Sequence, residues 1–194
     1  EIDIKNPFPG LRPFGVEESH LYFGRSKQSK AVSKLLHANQ FAAVIGASGS
    51  GKSSLAYCGV VPEFFNGLNT SGCVISFRPG NDPIRNMVDA FSKIFPGKVS
   101  AVDSVGLVET KESLESWISG HDFKDQTFLL VIDQFEELFR YNKNNDSEAH
   151  AIVSRFIDLI VEAVLKSEKK ILAMVTMRSD FVGECSAFQN LTDL

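Results

Sequence analysis

Residues 44–54 read VIGASGSGKSS: three glycines and four serines surround one lysine, directly behind the apolar run FAAVIG. A stretch so poor in apolar side chains cannot bury itself, so it must be a loop, and its neighbours decide what kind. FAAVIG, bounded by glycine, has the make-up of a buried parallel strand, and KSSLAYCGVV behind the loop reads as a helix ended by Pro62. A glycine-rich loop fixed between strand and helix is shaped to hold something. The spacing matches G-x-x-x-x-G-K-[ST] with Gly46, Gly51, Lys52 and Ser53, in which Gly49 and Gly51 let backbone N–H groups turn inward onto phosphate oxygens. The dipole of the helix start favours the same anion. Lys52 reaches the terminal phosphates, and the Ser53 hydroxyl is a candidate Mg²⁺ ligand. The loop therefore predicts a nucleoside triphosphate cradled by Gly46, Ser48, Gly49, Ser50, Gly51, Lys52, Ser53 and Ser54.

The remaining chain alternates strand and helix patterns. NPFPGLRPFG, residues 6–15, predicts an extended, wrapped lead-in because its prolines and glycines break regular structure. RSKQSKAVSKLLHAN sets Ala31, Val32, Leu35 and Leu36 at helical spacing, with lysines on the other face and a stop at Asn39. CVISF is a second strand, closed by the RPGNDP turn, and DPIRNMVDAFSKIF an amphipathic helix with Asp82 as N-cap and Pro83 at its first position. TFLLVI is a third strand, EAHAIVSRFIDLIVEAVLKSEKK a long amphipathic helix, and ILAMVTM a fourth strand. Residues 96–115 suit a surface excursion before a short helix near Trp117. The alternation predicts an α/β fold, a parallel sheet covered on both faces in three α/β/α layers. The 194 residues make one domain: a lead-in and first helix over 1–40, then a core over 41–194.

A phosphate loop needs an acidic partner to position the metal, usually an aspartate ending a neighbouring strand. In FLLVIDQFEELF, Asp133 follows five apolar residues and emerges at the carboxyl edge of the sheet, the edge that also carries the loop. It is the candidate Mg²⁺ holder, through water, together with Ser53. Glu136 and Glu137 follow closely, and either carboxylate is placed to orient or deprotonate an attacking water. Phe135, Leu138 and Phe139 read as core. The fourth strand ends in TMRSDF, where Arg178 either senses the terminal phosphate or forms a surface ion pair with Asp180.

Composition narrows the partners. With 43% hydrophobic and 23% charged residues the chain is ordinary globular protein, and a formal charge of -4 offers no broad attraction for nucleic acid or an anionic membrane. No apolar run nears the ~20 residues of a membrane span, and EIDIKNPFPG lacks the regions of a signal peptide, so a cytoplasmic protein is expected. Cys58, Cys73 and Cys185 form no C-x-x-C pair and read as reduced core thiols. The opening at Glu1 and the close at FQNLTDL suggest a piece of a longer protein.

Four separated stretches, NPFPGLRPF with YFGR, GASGSGKSSL, FRPGNDP, and VIDQFEELF with TMRSDF, together resemble the STAND NTPases, in particular the bacterial novel STAND group related to NACHT and NB-ARC proteins. The resemblance implies an ATP-binding core of the additional-strand class, in which the strand carrying Arg178 lies between the loop strand and the Asp133 strand. It implies that YFGR is an adenine-side box, with Phe23 and Gly24 nearest the base and Arg25 capping it or touching the nucleotide. Ser26 stands where relatives often carry glutamate. DQFEE resembles the NACHT type of acidic motif, in favour of Glu136 or Glu137 in hydrolysis, and TMR resembles a sensor arginine. The implied activity is a slow, Mg²⁺-dependent ATPase switch, with ATP or ADP bound, self-association in the longer protein, and further effector and sensor domains on the same chain.

Overall fold

A computed structural model describes residues 14–66, 71–100, 102–109, 112–121, 123, 126–141, 147–168 and 170–194. Of the lead-in expected at residues 6–15, residues 6–13 lie outside them. Four parallel strands form one sheet: β1 (Phe41–Gly46), β2 (Gly72–Phe77), β3 (Thr127–Ile132) and β4 (Ile171–Arg178), in the order β1-β4-β3-β2. The strand bearing Arg178 thus lies between the loop strand and the Asp133 strand, as the resemblance implied. β3 and β4 take the centre because they are almost unbroken apolar runs, and all but their end residues are buried. β1 departs from the buried strand expected of it. Only Ala42 and Val44 are buried, while Ile45 is 47% exposed, because β1 is an edge of the described sheet and the helices of one layer lie over β2, β3 and β4.

Period-two alternation splits the core into two layers. On one face, α1 (Ser26–Asn39) and the helical run behind the loop, α2 (Lys52–Ser54), a π-helical segment Leu55–Val60 and α3 (Val61–Asn66), set Leu36, Leu55, Val60 and Phe64 against Val44, Leu129, Val131 and Met174. On the other, α4 (Pro83–Ile94), α5 (Val102–Glu109), α6 (Leu114–Gly120), α7 (Glu137–Tyr141) and α8 (Ser147–Lys166) cover Ile75, Phe128, Leu130, Ile132 and Val175. A 3-10 turn (Val16–Leu21) precedes α1; a second (Ser179–Ala187) and α9 (Gln189–Thr192) follow β4. Phe135, Leu138 and Phe139 are core, as expected.

The caps behave as their chemistry requires. Asp82 accepts from Arg85 N at 3.2 Å with Pro83 opening α4, and α1 ends at Asn39 with Gln40 in the left-handed region at φ 59. Two expectations need correction. Pro62 does not end its helix, which continues to Asn66. The preceding π turn hydrogen-bonds Val61 N to Ala56 O, a widened turn that eases the proline ring past the carbonyls behind it. Residues 96–115 contain a helix, α5, although VDSVGLVE has weak helix propensity. It is held from outside: Leu107 is fully buried, and Arg155 of α8 donates Nε to Leu107 O at 3.1 Å and Nη2 to Glu112 O at 2.6 Å.

Cys58 is buried, Cys73 and Cys185 are half-buried, and all three are free thiols. Burial pushes the Cys58 thiol up to about 11. Among the described residues no helix is long and apolar enough to cross a membrane.

Candidate functional site

The register aligns the carboxyl ends of the four strands. Gly46 pairs with Arg178, Ile132 with Val175 and Phe77 with Ile132, so the glycine loop, Arg178, Asp133 and Arg78 emerge along one edge. Gly49 and Gly51 hold φ of 72° and 80°, and a Cβ at either would meet nothing within 4 Å, so the loop is open on its outer side. The first-turn N–H groups of Lys52, Ser53 and Ser54 have no acceptor within their own helix. Lys52 Nζ donates to Gly46 O at 3.0 Å and Ala47 O at 2.8 Å, lying back along the loop it serves. A cavity of about 570 Å³ lies elsewhere, at the amino ends of β3 and β4 beside Phe123, Phe128 and Ile171. The hydroxyls, carboxylates and guanidinium that converge on Asp133 lie at the opposite, carboxyl edge of the sheet.

Asp133 is the centre of the site. It is 1% exposed, and its Oδ1 accepts from both the Ser53 and the Thr176 hydroxyls at 2.6 Å. Arg78 Nε lies 3.5 Å from its Oδ2. A buried carboxylate persists only with such partners. Thr176 Oγ1 in turn accepts from Gln134 N at 3.0 Å, which fixes the tight turn in which Gln134 takes φ 61. The donors that converge here, a serine hydroxyl and an aspartate carboxylate, are hard oxygens of the kind Mg²⁺ takes, so the residues fit that ion.

The two glutamates diverge. Glu136 is 5% exposed, and its Oε2 accepts from Arg178 N at 3.3 Å. Glu137 turns the other way, its Oε2 accepting from Gly80 N at 3.0 Å. With its amide oriented to satisfy both neighbours, Gln134 donates to Glu137 Oε1 at 3.1 Å and accepts from Arg78 Nη2 at 3.2 Å. The Arg178 guanidinium makes a two-pronged ion pair with Asp180, at 3.0 and 2.6 Å, and lies 5.7 Å from the Phe181 ring centroid. Hydrogen bonding to Arg178 holds the Asp180 carboxyl below its usual range. Of the residues that the resemblance puts on the adenine side, Phe23 is 82% exposed, Gly24 has φ 91 and Arg25 is exposed at the start of α1. Their segment is tied to the loop's helix through Phe14 N, which donates to Ser54 Oγ at 3.3 Å, and Gly15 O, which accepts from Cys58 Sγ at 3.0 Å.

Sequence reading missed Thr176, Arg78 and Gln134 as parts of this cluster. Thr176 had a signal, a hydroxyl inside an otherwise apolar central strand. Arg78 had only its place one residue past a strand end. The strand feeding a glycine loop and helix, and the buried aspartate at the same carboxyl edge, define a P-loop NTPase core. A family model described as Novel STAND NTPase 1 matches residues 7–194, and the chain belongs to that family. Among solved structures it is similar to a Walker-type ATPase of Pyrococcus abyssi, at 17% identity and a TM-score of 0.48 over 95% of this chain and 52% of that one. The chain therefore spans about half the length of that ATPase. No curated protein matches it.

Proposed function

We propose that this domain binds ATP with Mg²⁺ and hydrolyses it slowly, as the switch of a longer cytoplasmic signalling chain whose conformation and self-association follow the nucleotide. The observation that carries the reading is the meeting of Ser53 and Thr176 on buried Asp133 beside the glycine loop. The loop N–H groups and Lys52 hold the phosphates. Ser53 and Asp133 hold the cation, which when bound neutralises phosphate charge and orients the terminal group. Glu136 or Glu137 orients the attacking water, and Arg178, released from Asp180, senses the terminal phosphate. Phe23, Gly24 and Arg25 face the base. Such a switch works only if its two states differ in nucleotide affinity. Sensor and effector domains on the same chain supply trigger and output, and the acidic charge disfavours nucleic acid as a partner.

One observation favours a second reading, a nucleotide-held interaction module with little turnover: both glutamates are engaged with backbone N–H groups. One experiment separates the two. Nucleotide released on denaturation is identified by chromatography, and phosphate release with Mg²⁺ is measured for wild type, Lys52→Ala, Glu136→Gln and Glu137→Gln. Bound ATP or ADP with Lys52- and glutamate-dependent turnover supports the switch; binding without turnover supports the module; no binding in wild type defeats both.

A further inference from the structure

We infer that Arg78 is a displaceable counter-ion of this site: its guanidinium compensates Asp133 Oδ2 until a divalent cation takes that oxygen, and then moves to the phosphate chain. The inference rests on the nucleotide reading above and adds a residue and an order of events to it. Asp133 has two oxygens with different neighbours. Oδ1 is occupied by two short hydroxyl bonds at 2.6 Å, which exchange poorly. Oδ2 faces Arg78 Nε at 3.5 Å, longer than the roughly 2.7–2.9 Å of a close charge-assisted bond, so this contact is electrostatic and exchangeable. The side chains differ as well: Asp133 is 2% exposed and Arg78 52%.

The backbone under Arg78 is pinned while its side chain is half exposed. Gly80 N is held by Glu137 Oε2 at 3.0 Å, and Pro79 O accepts from Asn86 Nδ2 at 2.8 Å. The other anchor of the guanidinium is the neutral Gln134 oxygen at 3.2 Å, which does not tether a charge strongly. A divalent cation on Oδ2 and a guanidinium beside it repel each other. The displaced fork then needs anionic oxygens, and a phosphate group offers two in the planar spacing that arginine matches. Arg178 is differently placed, already bidentate on Asp180. Glu137 thereby gains a role as a positioning residue, holding the 78–80 turn against the site.

The test compares wild type, Arg78→Met, Arg78→Gln and Arg78→Lys. Mg²⁺ alone is titrated against EDTA-treated protein by thermal shift, and ATP binding is measured with Mg²⁺ present by calorimetry. Removing the competing charge is expected to tighten Mg²⁺ by at least about fivefold in the Met and Gln variants, with Lys staying near wild type. The same two variants are expected to weaken Mg·ATP by about tenfold, with Lys between. A merely structural arginine would not tighten the metal while weakening the nucleotide. Equal Mg²⁺ titrations in wild type and both neutral variants, including no response in any, overturn the counter-ion role; unchanged Mg·ATP affinity overturns the move to phosphate. A wild type that binds no ATP defeats the nucleotide reading, while the Mg²⁺ arm still decides the competition at Asp133.

Discussion

Thr176→Val exchanges one hydroxyl for a methyl at the centre of the site and keeps its shape. The residue is 1% exposed in the middle of β4's carboxyl end. Its hydroxyl does two jobs, donating to Asp133 Oδ1 at 2.6 Å and accepting from Gln134 N at 3.0 Å. Losing a bond to a charged group costs about 1.5–3 kcal/mol, and stranding a buried N–H costs about 1–3 kcal/mol. Burying a methyl in place of a hydroxyl returns about 1 kcal/mol. The net expectation is a loss of about 3 kcal/mol, which at a urea m-value of roughly 2–3 kcal/mol/M moves the midpoint down by about 1 M. Thr176→Ser keeps both bonds and loses one methyl, so it should cost about 1 kcal/mol. Equilibrium urea unfolding of the three proteins measures the difference. A valine variant within about 0.5 kcal/mol of wild type, or no worse than serine, would refute the view that Asp133 depends on this hydroxyl.

Three further outcomes are expected. A Cβ at Gly59 would lie 2.2 Å from Ser29 Oγ and 3.2 Å from Ser29 Cβ, so Gly59→Ala should destabilise by about 1–3 kcal/mol. Adding Ser29→Ala should recover part of that, and strictly additive costs in denaturation would count against a tight α1 contact. With its thiol pushed up to about 11 by burial, roughly one Cys58 in a thousand is thiolate at pH 8; mass spectrometry should find it alkylated far more slowly in folded than in urea-unfolded protein. The folded value lies above the ordinary thiol value of 9.0, so this group's contribution to stability is intact below pH ~9 and is lost as pH rises toward ~11. The Arg178–Asp180 pair is open to solvent, with Arg178 35% and Asp180 53% exposed, so Asp180→Asn should leave the melting temperature at neutral pH nearly unchanged. The depressed Asp180 value places what the pair adds above the ordinary aspartate range, to be lost as pH falls below it; a large neutral-pH shift would show the pair to be structural.

What could be read ahead of the fold was whatever one segment decides alone. Apolar runs located all four strands, Asp82 and Pro83 marked the start of α4, and the glycine spacing located the loop. Errors came where distant residues decide. Pro62 follows a π turn that no local propensity announces, and α5 exists because Arg155, on a helix much later in the chain, binds carbonyls near it. The composition of β1 does not say that it sits at an edge of the described sheet with Ile45 exposed. Within the site, the aspartate and the loop were legible singly. Which oxygen of Asp133 meets which hydroxyl was not, since that depends on the register between β3 and β4.

Strand order explains why Thr176 rather than a larger residue stands at that register. Neighbouring strands lie ~4.8 Å apart, so β1 and β3, with β4 between them, are separated by roughly 10 Å. Ser53 starts from the first turn of α2, behind the loop after β1, yet its hydroxyl reaches Asp133 after β3 at 2.6 Å. It must cross the end of β4, and the residue there has to be small enough to leave the path open and polar enough to share the carboxylate. A threonine satisfies both conditions, and its methyl still packs in the apolar strand. Two residues on, β4 has cleared the crossing and can end in a long side chain, Arg178, whose backbone N–H meets Glu136 from the same turn. Inserting β4 between the loop strand and the acidic strand therefore places a third group on Asp133. It also couples the position of Arg178 to the turn that follows Asp133.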